Sequence, residues 1–320
     1  MFRFEVDGIW EDARLMAKKL MVTGYGGFVA GSVVWQALRS REWDVRALSL
    51  VEKPERHDRF ECRRFDLCDT AALDEAFRAI RPDVVVHAAA LADIDYCQNN
   101  RAEAERVNVG VTRALADLCA EHETKMIFCS TDTVFDGTQG MYTEVDEARP
   151  VNFYAETKVK AENLVRESVE QGVVTRLSLV MGLPVLGAGN SFLAKTLDAL
   201  RKGESVKFPS NEIRTPLDVI TLGRAFLEIA AGEFAGTIHL AGSTCVNRYE
   251  MACQIAEKLG FSRDLVVATD SNAMPGRAPR PNDASLDNAK AKRLLETPMQ
   301  TLAGGLDLVL RTKKEQERES

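Results

Sequence analysis

Lys18-Lys19-Leu20-Met21-Val22-Thr23-Gly24-Tyr25-Gly26-Gly27-Phe28-Val29-Ala30-Gly31 decides how this chain folds. Lys18–Gly24 is a short apolar run that ends in glycine, the pattern of a buried strand. The stretch after it is glycine-rich and then takes helical spacing over Gly31–Ser40, with Val33, Val34, Ala37 and Leu38 recurring on one face. Gly24 permits a tight turn, and Gly27 lets backbone amides approach a pyrophosphate. Ala30 fills the third position, where helix and strand pack closely. A helix that starts here points its positive end at the bound anion. A glycine motif alone is a weak signal. Its place, after the first strand and at the opening of a helix, is what the dinucleotide fingerprint demands.

The pattern repeats outward. Val45–Leu50 reads as a second strand, and Thr70–Ile80 as a helix with Leu73, Ala76, Phe77 and Ile80 on one face. Asp83–Ala90 is a strong apolar strand after Pro82, Ala102–His122 one long helix, and Lys125–Thr131 another strand. A helix from about Phe153 to Glu170 and a strand Val173–Gly182 follow. Continuous apolar strands between helices predict βαβ units, hence an α/β fold with a Rossmann-type, doubly wound parallel sheet.

The second half is less regular. It offers a helix over Ser191–Arg201 and strands over Ser205–Phe208 and Gly236–Ala241. Asn247–Leu259 reads as a helix, with Asn247 and Glu250 as a capping box and Gly260 at the C′ position. Met274–Pro281 reads as a loop. The expected organisation is a dinucleotide-binding domain over 16–182, to which 213–243 returns. A smaller, interleaved C-terminal substrate lobe takes 183–212 and 244–300. Residues 1–15 are read as an extension and Arg311–Ser320 as a frayed, charged tail.

Composition narrows the function. Among 320 residues, 45% hydrophobic and 28% charged fits a globular protein and excludes extended disorder. A net charge of −7 gives no reason to expect nucleic acid or an anionic membrane as a partner. No apolar run approaches the ~20 residues of a membrane span. Cys62, Cys68, Cys97, Cys119, Cys129, Cys245 and Cys253 form no CxxC pair, which points to reduced thiols in the cytoplasm. The four histidines are scattered, so no structural metal is expected.

Two constellations carry chemistry. An acid at the end of the second strand would grip the ribose hydroxyls of NAD. Here Ser49 stands in its place, with Lys53 and Arg56 close behind. These two cations either meet a 2′-phosphate, which favours NADP(H) over NAD(H), or are solvated loop charges. Tyr154 and Lys158, four residues apart, leave the same face of a helix. A neighbouring ammonium is expected to lower the phenol's pKa and make it an acid/base near neutral pH. Thr131 ends its strand, where open α/β sheets bind ligands, and can hydrogen-bond a substrate carbonyl beside Tyr154.

The ordered motifs TGYGGFVAG, DLCD (Asp66–Asp69), VVVHAAA, CSTDTVFDG and YAETK resemble the extended short-chain dehydrogenase/reductases. Within them, STDTVFDG followed by PVNFYAETKVKAE is similar to the dTDP-4-dehydrorhamnose reductase family, as are NEIRTPLDV, IHLAGS and RAPRPNDASLD. The resemblance spans about Lys18 to Leu295. It implies that Gly24, Gly27, Phe28 and Val29 cradle the pyrophosphate, and that Asp66 and Leu67 contact the adenine. It implies that Ala88, Ala89 and Ala90 line the cofactor groove and that Lys158 also holds the nicotinamide ribose. Tyr154 would donate a proton and Thr131 orient the carbonyl, while Asn108 resembles the family's structural asparagine. The implied reaction is NADPH-dependent reduction of a 4-keto sugar nucleotide, with a homodimer left open.

Three residues depart from the pattern: Ala30, Thr133 in place of a common tyrosine, and Ala155 in place of a common glycine. The last two adjoin the reacting sugar and bear on the substrate. Asp132-Thr133 lacks the second acid of the related dehydratases. A C4 epimerase stays open, as does a regulatory role resembling that of the methionine adenosyltransferase subunit. Asn190 and Arg214 are the expected substrate contacts, Arg214 either through its planar fork or as a structural ion pair. Arg277 and Arg280 either close on the nucleotide or belong to a rigid loop.

Overall fold

The computed structural model describes residues 17–50, 55–187, 189–273 and 276–319. Lys53 and the extension expected over 1–15 lie outside them. In β1 (Lys18–Thr23) the side chains alternate between two cores. Leu20 and Val22 face one and Met21 the other, all fully buried. Both faces of the strand are therefore covered, which is why its sequence reads as a continuous apolar run.

The main sheet adds β2 (Trp43–Ser49), β3 (Glu55–His57), β4 (Phe60–Arg64), β5 (Val84–His87), β6 (Lys125–Thr131), β7 (Gly172–Leu177) and β8 (Gly236–Leu240). Their order is β8-β7-β6-β5-β1-β2-β4-β3. Every pairing is parallel except β3 with β4, at the edge. The longer helices are α1 (Phe28–Ser40), α2 (Thr70–Ile80), α3 (Val111–Glu121), α4 (Phe153–Ser168), α5 (Phe192–Arg201), α6 (Val219–Ala231), α7 (Arg248–Lys258) and α8 (Leu302–Glu319). Val33 and Val34 of α1 and Phe226 of α6 cover one face of the sheet. Phe77 of α2, Leu115 of α3 and Val165 of α4 cover the other. The strand order reverses at β1, between β2 and β5. The crevice for a ligand therefore opens beyond the carboxyl ends of these three strands.

Three expectations need correction. Residues 102–122 are not one helix: a π-helical turn, Glu105–Gly110, interrupts them. Asn108 within it is tied by its side chain to Leu91 and Thr157, which holds the wider turn open. Val173–Gly182 splits into β7 and a two-residue strand at Val180–Met181, which pairs with Leu217–Asp218. As far as Glu319 the charged tail is ordered as the end of α8. Leu302, Leu306, Leu308, Val309 and Thr312 are buried, and the Gln316 amide donates to the Val185 carbonyl at 3.1 Å. The apolar face of that helix lies mostly upstream of Arg311, so the charges of the last turns hide its continuation. Helix α6 and strand β4 were not anticipated.

Beyond β7 the chain builds α5, α7 and a small parallel pair, Val206–Pro209 with Val266–Thr269. Helix α7 is capped as expected, the Asn247 side chain accepting from the Glu250 amide at 2.8 Å. Met181, Leu193, Ile220, Met251 and Leu306 form a separate core where these elements meet α6 and α8. No helix among the described residues is long and apolar enough to cross a membrane.

Candidate active site

The site grows from the end of β1. Gly24 has φ +79°, and a Cβ there would lie 2.8 Å from the Ala89 amide nitrogen, so only glycine fits. Gly27 occupies the N-cap of α1 and offers no side-chain cap, and the first turn of α1 holds no acid. Other helices here are capped by side chains: Asp69 for α2, Asn152 for α4, Ser191 for α5 and Asp218 for α6. The first amides of α1, at Phe28 and Val29, therefore face the groove as an open anion site.

A groove of about 840 Å³ runs from this turn. The predicted residues Gly24, Gly27, Phe28, Val29, Ala88, Ala89 and Ala90 all line it. Asp66, Leu67 and Asn190 line it as well. Glu103 and Arg106, just before and within the π-turn, also line it. The sequence did not single them out, because a continuous helix would have carried them elsewhere. Arg56 sits on edge strand β3 opposite Glu61 and is not part of the lining.

The second constellation sits beside the groove. Thr131 ends β6, and its hydroxyl lies 3.1 Å from that of Thr133 and donates to the Asp132 carboxylate at 3.2 Å. Tyr154 lies in the first turn of α4, which the Asn152 side chain caps by accepting from the Ala155 amide at 3.0 Å. Burial pushes the Tyr154 phenol well above its ordinary range, and the Asp132 carboxylate adds to this. The Thr131 hydroxyl, as a hydrogen-bond partner, acts the other way. This reverses the expected depression by Lys158. The Lys158 ammonium sits 4.1 Å over the Phe128 ring, and burial pulls its own pKa down to about 8.

A cavity of about 560 Å³ adjoins Asp132 and Thr133 and is lined by four arginines and four carboxylates. Arg214 is deeply engaged. It donates to the carbonyls of Ile213, Asn282 and Pro281 and pairs with Asp132 at 3.4 Å. Arg280 grips Asp95 with two bonds, at 2.7 and 2.9 Å. Arg248 and Arg277 share Glu212, at 3.2 and 3.3 Å, and keep 21% of their side chains exposed. Asn190 borders both cavities, its amide oxygen accepting from Lys195 at 2.6 Å. Among the described residues no cluster of metal-binding side chains occurs.

Residues 18–314 match the family model described as the RmlD substrate binding domain. The chain belongs to this family. A relative named a probable low-salt glycan biosynthesis reductase, from Haloferax volcanii, is 30% identical over 292 residues, 89% of this chain and 95% of that protein. Subunit beta of methionine adenosyltransferase 2 from mouse is 29% identical, over 91% of this chain and 87% of its own length. A crystal structure of dTDP-4-dehydrorhamnose reductase from Bacillus anthracis, in complex with NADP, superposes with a TM-score of 0.82. It covers 93% of this chain and 100% of the other at 20% identity, a likeness of fold. The resemblance read from the motifs to the extended dehydrogenase/reductases thus holds.

Proposed function

We propose that this protein is an NADPH-dependent reductase of a 4-keto sugar nucleotide. The observation that carries the reading is Tyr154. It stands in the first turn of α4, with the Thr131 hydroxyl at the end of β6 as its hydrogen-bond partner and Lys158 one helical turn on. Any phenol is protonated at neutral pH, so this placement, and not the shift, fits it to protonate a developing alkoxide. The glycan biosynthesis reductase and the NADP-bound dTDP-4-dehydrorhamnose reductase support the same chemistry.

The groove fits a nicotinamide dinucleotide. Gly24, where a Cβ would strike Ala89, and the uncapped start of α1 are the cradle a pyrophosphate needs. Phe28 and Val29 would bind it, Ala88, Ala89 and Ala90 line its path, and Asp66 and Leu67 meet the adenine. The bound dinucleotide supplies a hydride for C4 of the sugar. Thr131 holds the carbonyl oxygen, Tyr154 gives its proton to that oxygen, and Lys158 binds the ribose and stabilises the charge as it develops. Arg248 and Arg277, partly exposed, take the substrate's diphosphate with Asn190. Arg214 shapes the cavity by fixing Asp132 and Pro281–Asn282.

The test is the loss of NADPH absorbance on mixing the protein with a panel of 4-keto nucleoside-diphosphate sugars, with NADH in parallel. Turnover with at least one sugar, faster with NADPH, is expected. The likeness to the methionine adenosyltransferase subunit carries the second reading, a regulatory partner. No turnover with any sugar, together with a stable complex with such an enzyme, would favour it. Interconversion of C4 epimers without added cofactor would instead identify an epimerase.

A further inference from the structure

His87, the last residue of β5, is buried and takes no part in the reaction above. Its ring nevertheless joins the two halves of the site. Nδ1 lies 2.8 Å from the hydroxyl of Thr23, the residue before Gly24. Nε2 lies 3.1 Å from the hydroxyl of Thr112. All three residues, and Asn108, are at most 1% exposed.

The direction of each bond follows by elimination. A carbonyl only accepts, so the Thr112 hydroxyl spends its single proton on the Asn108 carbonyl at 2.7 Å. Thr112 must then accept from His87, which puts the ring proton on Nε2. Burial holds the ring neutral, with a pKa pulled down to about 3. Nδ1 is therefore an acceptor, and the Thr23 hydroxyl donates to it. The Thr23 oxygen in turn accepts from the Ala89 amide at 3.3 Å. At the other end the Asn108 amide donates to the Thr157 hydroxyl at 3.0 Å, and that hydroxyl donates to the Tyr154 carbonyl at 2.7 Å. One directed chain thus runs from the wall of the nucleotide groove to the first turn of α4.

We propose that His87 is a positioning residue: as its Nε2–H tautomer it fixes the Thr23–Gly24 turn, the Ala89 wall and the π-turn at Asn108 in one register. The nucleotide end of this inference rests on the groove, and the Tyr154 end rests on the reductase reading. Removing the ring leaves the buried Thr23 hydroxyl without its acceptor and takes from the Thr112 oxygen the bond that it accepts.

The experiment compares the full-length protein with His87→Leu, Thr112→Val and Thr112→Ser. NADPH affinity is read from the fluorescence of the reduced nucleotide, well below each variant's melting temperature. His87→Leu is expected to bind about tenfold more weakly and Thr112→Val about threefold, the loss left by an unpaired buried group. Thr112→Ser keeps the hydroxyl and should restore affinity to within about twofold of the parent. Nitrogen NMR of the histidines in the unmodified protein should show one buried ring protonated at Nε2 and bare at Nδ1.

A proton on Nδ1 of His87 overturns the proposal; the other buried ring, His239, is told apart because its own Nδ1 donates to the Tyr142 carbonyl at 3.1 Å. So do His87→Leu and Thr112→Val variants that melt earlier yet bind NADPH like the parent, since a merely structural role lowers stability alone. If His87→Leu does not fold, the Thr112 pair and the NMR decide. A parent protein that binds NADPH but reduces no keto sugar refutes the reductase reading and leaves the His87 result standing. A parent that binds no nicotinamide nucleotide overturns both the reductase reading and the nucleotide end of this inference.

Discussion

Replacing Lys158 with methionine should make the protein more stable at neutral pH while disabling its site. Lys158 is 3% exposed, and burial pulls its pKa from 10.5 to about 8. That gap is worth roughly 3 kcal/mol against folding at neutral pH. The sign follows from proton counts. Between about pH 8 and the unfolded value, the unfolded chain holds a proton that the folded one has released, so stability rises with pH across that window. Below it the full cost remains, and above it the cost is gone. The contact with the Phe128 face, 4.1 Å away, offsets about 1–2 kcal/mol that the variant forfeits. Methionine keeps the apolar stem and fills the space. A net gain of about 1–2 kcal/mol is expected at neutral pH, shrinking to zero or below near pH 10. Urea unfolding of both proteins at the two pH values measures this, with other titrating groups cancelling in the comparison. A variant less stable than the parent by the same margin at both would refute the reasoning, because Lys158 would then carry no buried-charge cost.

Three further outcomes are expected. Tyr154→Phe should lower kcat by about 100- to 10,000-fold and leave NADPH affinity nearly unchanged, as steady-state kinetics and a binding titration will show. Gly24→Ala would press a methyl to 2.8 Å from the Ala89 nitrogen at a φ that alanine avoids. It should cost about 1–3 kcal/mol in chemical unfolding and abolish saturable NADPH binding. Leu306→Ala should cost about 2–5 kcal/mol in the same unfolding measurement if α8 docks through its buried face, and almost nothing if that helix frays.

What the sequence discloses here is what local physics determines. Gly24 is legible because a positive φ and a close approach leave glycine as the one fitting residue. Tyr154 and Lys158 are legible because a four-residue spacing places both on one helix face. The π-turn at Glu105–Gly110 is not, because it depends on bonds from Asn108 to Leu91 and Thr157, which lie 17 and 49 positions away. The arginine cavity is hidden for the same reason: Arg280 and its partner Asp95 are 185 positions apart. Spacing reveals the lysine near Tyr154 but not the depth of burial, which sets the direction of its shift. The close of α8 is hidden because its charged last turns follow an apolar face that ends near Thr312.

The central claim is that a hydride reaches C4 of a keto sugar while Tyr154 supplies the proton. Its most direct test uses NADPH carrying deuterium at the transferable position, a 4-keto nucleoside-diphosphate sugar, and NMR of the product. The account predicts deuterium at C4 of the reduced sugar, and at most about a hundredth as much with Tyr154→Phe at the same early time point. Oxidation of the labelled nucleotide without deuterium at C4, or equal labelling by the Tyr154→Phe protein, would contradict it.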